Sequence, residues 1–492
     1  MVVRARLTDA GHRGNMFRVR FFWPIYLLFF CAVLAGCGSG GQIGSQTQNN
    51  GNSSVVLAMT DTPPSNVSVL SAEITLTGAT LSPGNISLFS GSTTVELTRL
   101  QTDIAYLTTA TKIPAGNYTS VTLTFANPSL TIENDTASAI GTCAVGSICT
   151  MAPTSTANLS TTVPLTSFSI ASSSTTGLLI DVSLDNLLTA SLGEDFSAGT
   201  TVTSFTPGGI GLPPAGAEDV VGQVASVNAS TNTFTLTNAT VSYSLKADST
   251  SKFFQFPGTV ACSTATPGFA CLQNNQIVSV DIGFQSDGSI LARNIVFEDA
   301  DNSDTEVEGT ITSTNVGSQQ FSMVALTISA TGTGLSIGEP VTVQYSVVSP
   351  LTTFDVDFIH ADNLPVSTTG FLFAAPADLV VGQQVSIRRN SSSSGTTIKA
   401  DRVRLRSSRI TATVQTNGSG IITLSSLPSI FSGHGGITMI QALTSVPTIF
   451  FEIGRTIIIS DIALSNIVSV RGPLFNVSGG RSLVASKVVL KP

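Results

Sequence analysis

Charged side chains are scarce in this sequence, making up 11% of its 492 residues. That scarcity, with 42% hydrophobic residues, excludes a disordered polyelectrolyte, because disorder goes with low hydrophobicity and high charge. The charges present lean negative, 22 basic against 30 acidic. Residues 1–36 hold five of the basic and one of the acidic residues, so the remainder carries 17 against 29 and a net charge of −12. An acidic surface repels a phosphate backbone, which argues against a nucleic-acid partner. Beyond residue 36 only His360 and His434 could serve a histidine-based reaction. They lie far apart, and no Gly-x-Ser-x-Gly elbow accompanies either. There is no phosphate-binding loop, nor a dinucleotide-type glycine pattern leading into a helix. No catalytic residue, cofactor or metal ligand is therefore expected. The one tryptophan, Trp23, sits near the N-terminus, so the rest of the chain lacks the commonest platform for stacking a sugar. Long stretches with apolar residues at i, i+3, i+4 and i+7 are also missing, which excludes a helical core.

What is abundant is serine, threonine, valine and glycine. Threonine and valine are β-branched and favour a pleated surface. At about 100–200 residues per domain, the length suggests three or four domains. The expectation is an all-β protein: a β-sandwich of immunoglobulin or prealbumin type, followed by three small β-barrel-like units.

The N-terminus reads as a leader. Arg18 and Arg20 precede an apolar run over residues 21–33, which is short for a membrane span and contains Pro24. Met16 offers a more conventional start. Leu34-Ala35-Gly36-Cys37 resembles the lipobox of bacterial lipoproteins. The resemblance implies cleavage after Gly36, a signal peptide over residues 1–36 and a lipid on Cys37, which anchors the chain to a membrane. Gly38, where an aspartate would retain a lipoprotein at the inner membrane, points to the outer membrane. Residues 37–53 are rich in Gly, Ser, Gln and Asn and read as a flexible tether.

Four cysteines remain, in two close pairs: Cys143 with Cys149, and Cys262 with Cys271. Even, local pairing in an exported chain reads as disulfides. A metal site would need further ligands, and the histidines are remote in sequence.

Residues 54–210 read as the first domain. The run 54–64 is a strand stopped by Pro63 and Pro64. Val67, Val69, Ile74 and Leu76 alternate, Val121, Leu123 and Phe125 follow a Pro-Ala-Gly turn, and residues 178–182 are a buried strand. The segments MTDTPPSNV, ELTRL (96–100), IPAGNYTSVTL and LLIDVSLDNLL resemble an uncharacterised bacterial lipoprotein domain whose members begin TDAP and carry PAGxY before a strand. Thr62 stands where that pattern has alanine. The resemblance implies a fold and no activity. Asp181 and Asp185, within LLIDVSLDNLL, are read as strand and turn residues.

The remainder repeats. Openers at residues 221–227, 308–313 and 410–414 are each followed by a strand beginning near Phe234, Phe321 or Ile422. Closers at 290–295, 398–403 and 483–488 share an Ala, at Ala292, Ala400 and Ala485. A mid-unit Phe recurs at Phe253, Phe354 and Phe450, and a strand precedes each closer. The opener positions Gly222, Gly309 and Ala412 are 87 and 103 residues apart, which suits tandem small domains and not a solenoid. Units over 218–300, 304–408 and 409–492 are expected. Their order of motifs resembles a second uncharacterised bacterial module, a small barrel of oligonucleotide/oligosaccharide-binding type. In this reading the opener Gly lets the first strand bend, and Asp287-Gly288-Ser289 is a hairpin turn. The closing Ala is small because strands approach there, and the first and last strands pair. Alternation places Ile290, Ala292 and Asn294 on one face and Leu291, Arg293 and Ile295 on the other.

The acidic run Glu298, Asp299, Asp301, Asp304, Glu306, Glu308 has two readings: an oxygen-rich cluster that binds Ca²⁺, although its spacing matches no EF-hand loop, and the favoured one, a solvated, self-repelling linker. Three roles are compatible with all this: a structural or adhesive envelope protein that holds a protein partner, a glycan- or small-ligand-binding lipoprotein that uses barrel faces, and, last, an enzyme.

Overall fold

The computed structural model describes residues 51–492 except 63–67, 136, 190, 209–217, 240–241, 256–265, 299–304, 331–332, 358–370, 446–447, 453–454, 479 and 492. Cys37, His360 and Cys262 fall outside the described residues, as does the side chain of His434. Residues 48–492 form one compact unit.

The first part is a β-sandwich. One sheet has the order Thr200–Phe205, Thr175–Val182, Ser53–Thr60, Ala105–Ile113, with the two central strands parallel. The other runs Ile86–Glu96, Val69–Ser82, Gly116–Glu133, Ile148–Met151, and the long Gly116–Glu133 strand also pairs Ser160–Ile170. Alternation explains the core: Val55, Leu57 and Met59 face the opposing sheet. Val56 and Ala58 face the other way and join the core of the first barrel. Cys143 and Cys149 are bridged, with Cα atoms 5.7 Å apart, within the range a disulfide needs. Cys271 is also disulfide-bonded. Asp181 lies in a strand, whereas Asp185 lies in a single helical turn, Leu184–Leu187.

Three barrel-like sheets follow. In the first, the opening strand Val220–Asn228 pairs the second strand Thr233–Thr237 and the penultimate strand Ile277–Phe284. The second pairs the third, Ser242–Lys246. The closing strand Ile290–Phe297 pairs the penultimate strand, touches the third in parallel at Lys246 and Leu291, and then pairs the middle strand Lys252–Gln255 in parallel. Five strands thus close a ring and the middle strand stands beside it. Barrel 2 repeats this with Thr305–Asn315, Gln320–Ile328, Pro340–Gln344, Thr353–Val356, Gln384–Arg389 and Thr397–Leu405. Barrel 3 uses Ser407–Gly418, Ile421–Ser425, Ile440–Leu443, Ile449–Glu452 and Ile467–Val477, and its closing strand is split into Gly480–Val484 and Lys487–Leu490. The expected pairing of first with last strand is corrected. The opening strand lies inside the ring order, and closure is made by the third and closing strands.

The closing strand also departs from simple alternation at its Ala. Between Asp281 and Ile282 the register shifts, so Asn294 and Ala292 are paired and Arg293 is skipped. Such a bulge reverses which residues face inward. Ile290, Ala292, Ile295 and Phe297 all enter the core, which corrects the expectation that Asn294 shares the face of Ala292. Barrel 2 shifts likewise between Arg388 and Arg389, with Ile398, Ala400, Val403 and Leu405 inward. Ala292, Ala400 and Ala485 are all buried. Each gives its carbonyl to a hydroxyl two residues before the mid-unit Phe: Ser251 to Ala292 at 2.6 Å, Thr352 to Ala400 at 2.7 Å and Thr448 to Ala485 at 2.7 Å. The bulge frees a carbonyl from the ladder, and a buried carbonyl needs a donor. The opener glycine is a matter of space in barrel 2, where a Cβ at Gly309 would lie 2.3 Å from the Val324 carbonyl oxygen.

A further repeated device precedes each penultimate strand. Residues Asn275, Gly382 and Ser465 take positive φ of 70°, 86° and 67°. The next side chain closes the turn on a backbone N–H: Gln276 on Gln273 and Gln383 on Val380, both at 2.7 Å, and Asn466 on Ala463 at 2.6 Å.

Candidate functional site

Seams between the units are partly apolar. Leu70 of the sandwich and Val324 and Leu326 of barrel 2 pack into the core of barrel 3, and Phe475 and Val484 of barrel 3 pack into that of barrel 2. The units are also joined by a buried ionic hub. It is built from equivalent strand positions. Three residues before the opener Gly or Ala stand Asp219, Glu306 and Arg409. Two residues after the closing Ala stand Asn294, Arg402 and Lys487. Opposite them on the penultimate strands are Asp281, Arg388 and Arg471. Because these positions alternate with core residues, each row projects from the outside of its barrel. The row is acidic in barrel 1, mixed in barrel 2 and wholly basic in barrel 3.

Like charges set side by side on a sheet repel, so the basic row Arg409–Arg471–Lys487 requires acids from elsewhere. Asp103 of the sandwich pairs Arg409 and, at 3.2 Å, Lys487. Glu218 and Asp219, at the entry to barrel 1, pair Arg471, and Glu218 reaches Lys487 at 3.0 Å. Burial alone would raise the carboxyl of Asp103, but Arg409, Lys487 and Arg471 hold it well below its usual range. Burial would lower the ammonium of Lys487, and Glu218 and Asp103 reverse that.

The mixed row of barrel 2 is joined from barrel 1. Glu298, just beyond the closing strand, contacts Arg404 at 2.6 Å and Arg406 at 2.7 Å. Arg402 pairs Glu306 at 2.5 Å, Arg406 pairs Glu308 at 3.0 Å and also Asp357, and Arg404 pairs Asp355 at 2.7 Å. Glu298, Glu306 and Glu308 are at most 1% exposed. The reading of this run as a solvated linker is therefore corrected for those three. Those three do not repel one another into water, because Arg99, Arg402, Arg404 and Arg406 lie against them. Asp299, Asp301 and Asp304 lie outside the described residues. Among the described residues no cluster of His, Cys, Asp or Glu is arranged to hold a metal ion.

Two motif segments of the sandwich feed the hub. In ELTRL, Glu96 caps the short helix Leu97–Gln101 through the N–H and hydroxyl of Thr98, at 3.0 and 2.7 Å. That helix presents Arg99, which pairs Glu308 at 2.7 Å and donates to the Asp219 carbonyl at 3.1 Å. In the opening TDTPP segment, Asp61 is buried beside Lys491, which donates to the backbone oxygens of Asp61 and Gln101 at 3.1 and 2.9 Å. Burial pushes the Asp61 carboxyl up and the Lys491 ammonium down. Lys491, Arg406 and Glu298 occupy the same place, six residues after the closing Ala. Of the hub residues, Glu298, Glu306 and Glu308 stand out in the sequence as an acidic run; the fixed offsets of the others from opener and closer are a usable signal. Two cavities of about 100 and 90 Å³ flank Arg99, one toward barrels 2 and 3, the other toward Tyr106, Tyr243 and Glu218.

Residues 52–202 match the family model described as a domain of unknown function, DUF4382. No curated protein matches the chain. Among solved structures, a multidomain protein with nucleic acid binding domains from Streptococcus pneumoniae TIGR4 aligns over 56% of this chain and 73% of its own, at 10% identity and a TM-score of 0.11. A similarity that loose carries no argument about this chain.

Proposed function

We propose that this chain is a lipid-anchored cell-envelope protein whose folded part is a non-catalytic scaffold that presents its β-surfaces to an envelope partner. The observation that carries the reading is the hub. Asp61, Asp103, Arg402, Arg404, Arg406, Arg471, Lys487 and Lys491 are buried and bind other units of the same chain, as structural groups do. Removing one partner of such a buried pair is strongly destabilising, so the pairs fix one arrangement of the four units. A fixed arrangement suits a protein that holds a partner at a set distance from a membrane. The leader, the lipobox at Cys37 and the polar tether supply the anchor, and the outer membrane is the expected location.

The test has two arms. Cells expressing the wild-type chain should incorporate labelled palmitate, and the Cys37→Ala variant should not; equal labelling of both refutes the anchor. Cross-linking from barrel surfaces in intact cells should capture one reproducible envelope protein. Capture of nothing by probes on all four units refutes the scaffold role.

A second reading, binding of a glycan or other small ligand on a barrel face, is supported by the five-stranded ring with its parallel closure. Small closed barrels of oligonucleotide/oligosaccharide-binding type use such faces, and the acidic charge favours a sugar over a nucleic acid. Glycan-array binding that is lost on deleting one barrel would favour it.

A further inference from the structure

The cavity of about 100 Å³ on one side of Arg99 is walled by the sandwich, barrel 2 and barrel 3. Its charged lining residues are Arg99 and Arg409, and no carboxylate lines it. The hydrogen bonds around it leave donors unfilled. The Gln101 side-chain oxygen accepts from Thr411 at 3.1 Å and that of Gln384 from Arg409 at 2.9 Å. Both amide nitrogens are thus without a partner among the described residues. The Ser408 hydroxyl oxygen accepts from the Gln384 N–H at 2.9 Å, which leaves its O–H to donate. Arg99 uses Nη1 on Glu308 and Thr327 and Nη2 on the Asp219 carbonyl, leaving Nε. The lining also has an apolar part: Leu70, Leu326, Ile430 and Phe431.

We propose that this cavity binds a small organic carboxylate, its oxygens on Arg99 and the amides of Gln101 and Gln384, its short tail against Phe431. Several donors, with no carboxylate among the lining residues, select an anion, and a guanidinium is suited to a carboxylate. The apolar part of the lining selects an anion with a hydrocarbon part over an inorganic one. The volume suits a molecule of about four heavy atoms, since a cavity of about 150 Å³ accepts benzene, which has six. The local field agrees. Burial weakens the hold of Arg409 on its proton, and although Asp103 opposes this, Arg471 and Arg99 act in the same direction. The inference stands apart from the scaffold reading, which needs no ligand.

Calorimetric titration of the purified full chain with acetate tests it, with acetamide and sulfate as comparisons. Saturable acetate binding is expected, at least about tenfold tighter than either comparison. Gln101→Glu, nearly isosteric and still able to accept from Thr411, should weaken acetate by at least about tenfold. Ile430→Phe, which fills the cavity, should abolish binding, and it keeps the test intact if the first variant does not fold. Failure of acetate to bind overturns the proposal, as does equal binding of acetamide. Sulfate bound as tightly as acetate overturns the carboxylate assignment.

Discussion

Glu298 and Arg406 occupy the same position, six residues past the closing Ala, in two successive barrels, and they bind each other at 2.7 Å with both side chains buried. The equivalent position in barrel 3 is Lys491, which binds the backbone of the sandwich. Three copies of one module therefore use one position, with different charges, to reach three different neighbours. Charge at equivalent positions thus distinguishes units whose apolar patterns are nearly alike.

Arg406→Leu should destabilise the protein by about 3–5 kcal/mol, because it removes from the interior the one cation that Glu298, Glu308 and Asp357 share. Urea unfolding followed by tyrosine fluorescence measures this. A loss below about 1 kcal/mol, the range of an exposed pair, would contradict the role given to the hub.

Thr352→Val and Thr448→Val should each cost about 1–3 kcal/mol. Valine keeps the shape, while the carbonyl of Ala400 or Ala485 loses its donor in a buried place. Thr353→Val, one residue along and exposed, is the control and should be nearly neutral. Equal effects at the two sites would remove the special role of the hydroxyl.

Much of the architecture was legible because it rests on local alternation. Val55, Leu57 and Met59 declare a strand facing a core, and the opener, mid-unit Phe and closer declare three related units. The bulge at Arg293 was not legible, since alternation assumes an unbroken ladder and one skipped residue inverts every position after it. The hub was hidden for another reason. Glu298 and Arg406 are 108 residues apart in sequence, so a run of acids looked self-repelling when its cations were out of view. The hydroxyl two residues before each mid-unit Phe was visible as a pattern, but its partner carbonyl appears only once the closing strand is placed.

The shared seams predict how the protein melts. Val56 and Ala58 belong to the core of barrel 1, and Leu326 to that of barrel 3, so no unit can unfold without exposing apolar surface of another. Scanning calorimetry should show one transition for the sandwich and barrels together. Deleting residues 409–492 should lower the melting temperature of what remains. Separate transitions, or an unchanged remnant, would show that the units are independent.

The last prediction concerns pH. Glu194 is buried, and burial raises its carboxyl from 4.5 to about 7. Half-buried Glu73 is raised to about 7 by burial and by Glu96 directly across the strand pair. A carboxyl raised in the folded state binds protons more tightly there than in the unfolded chain. Its contribution to stability is then fully present below about pH 4.5 and lost as pH rises through about 7. Asp103, held low by Arg409, Lys487 and Arg471, works in the opposite sense, and its contribution vanishes only in strong acid. The protein should therefore melt higher near pH 5 than near pH 8. Glu194→Gln stays neutral throughout, so it should flatten part of that decline and raise the melting temperature at pH 8 relative to the wild type. Melting curves of both proteins between about pH 5 and 8 decide the matter. An undiminished decline in Glu194→Gln would mean that this carboxyl is already ionised in the folded protein at neutral pH.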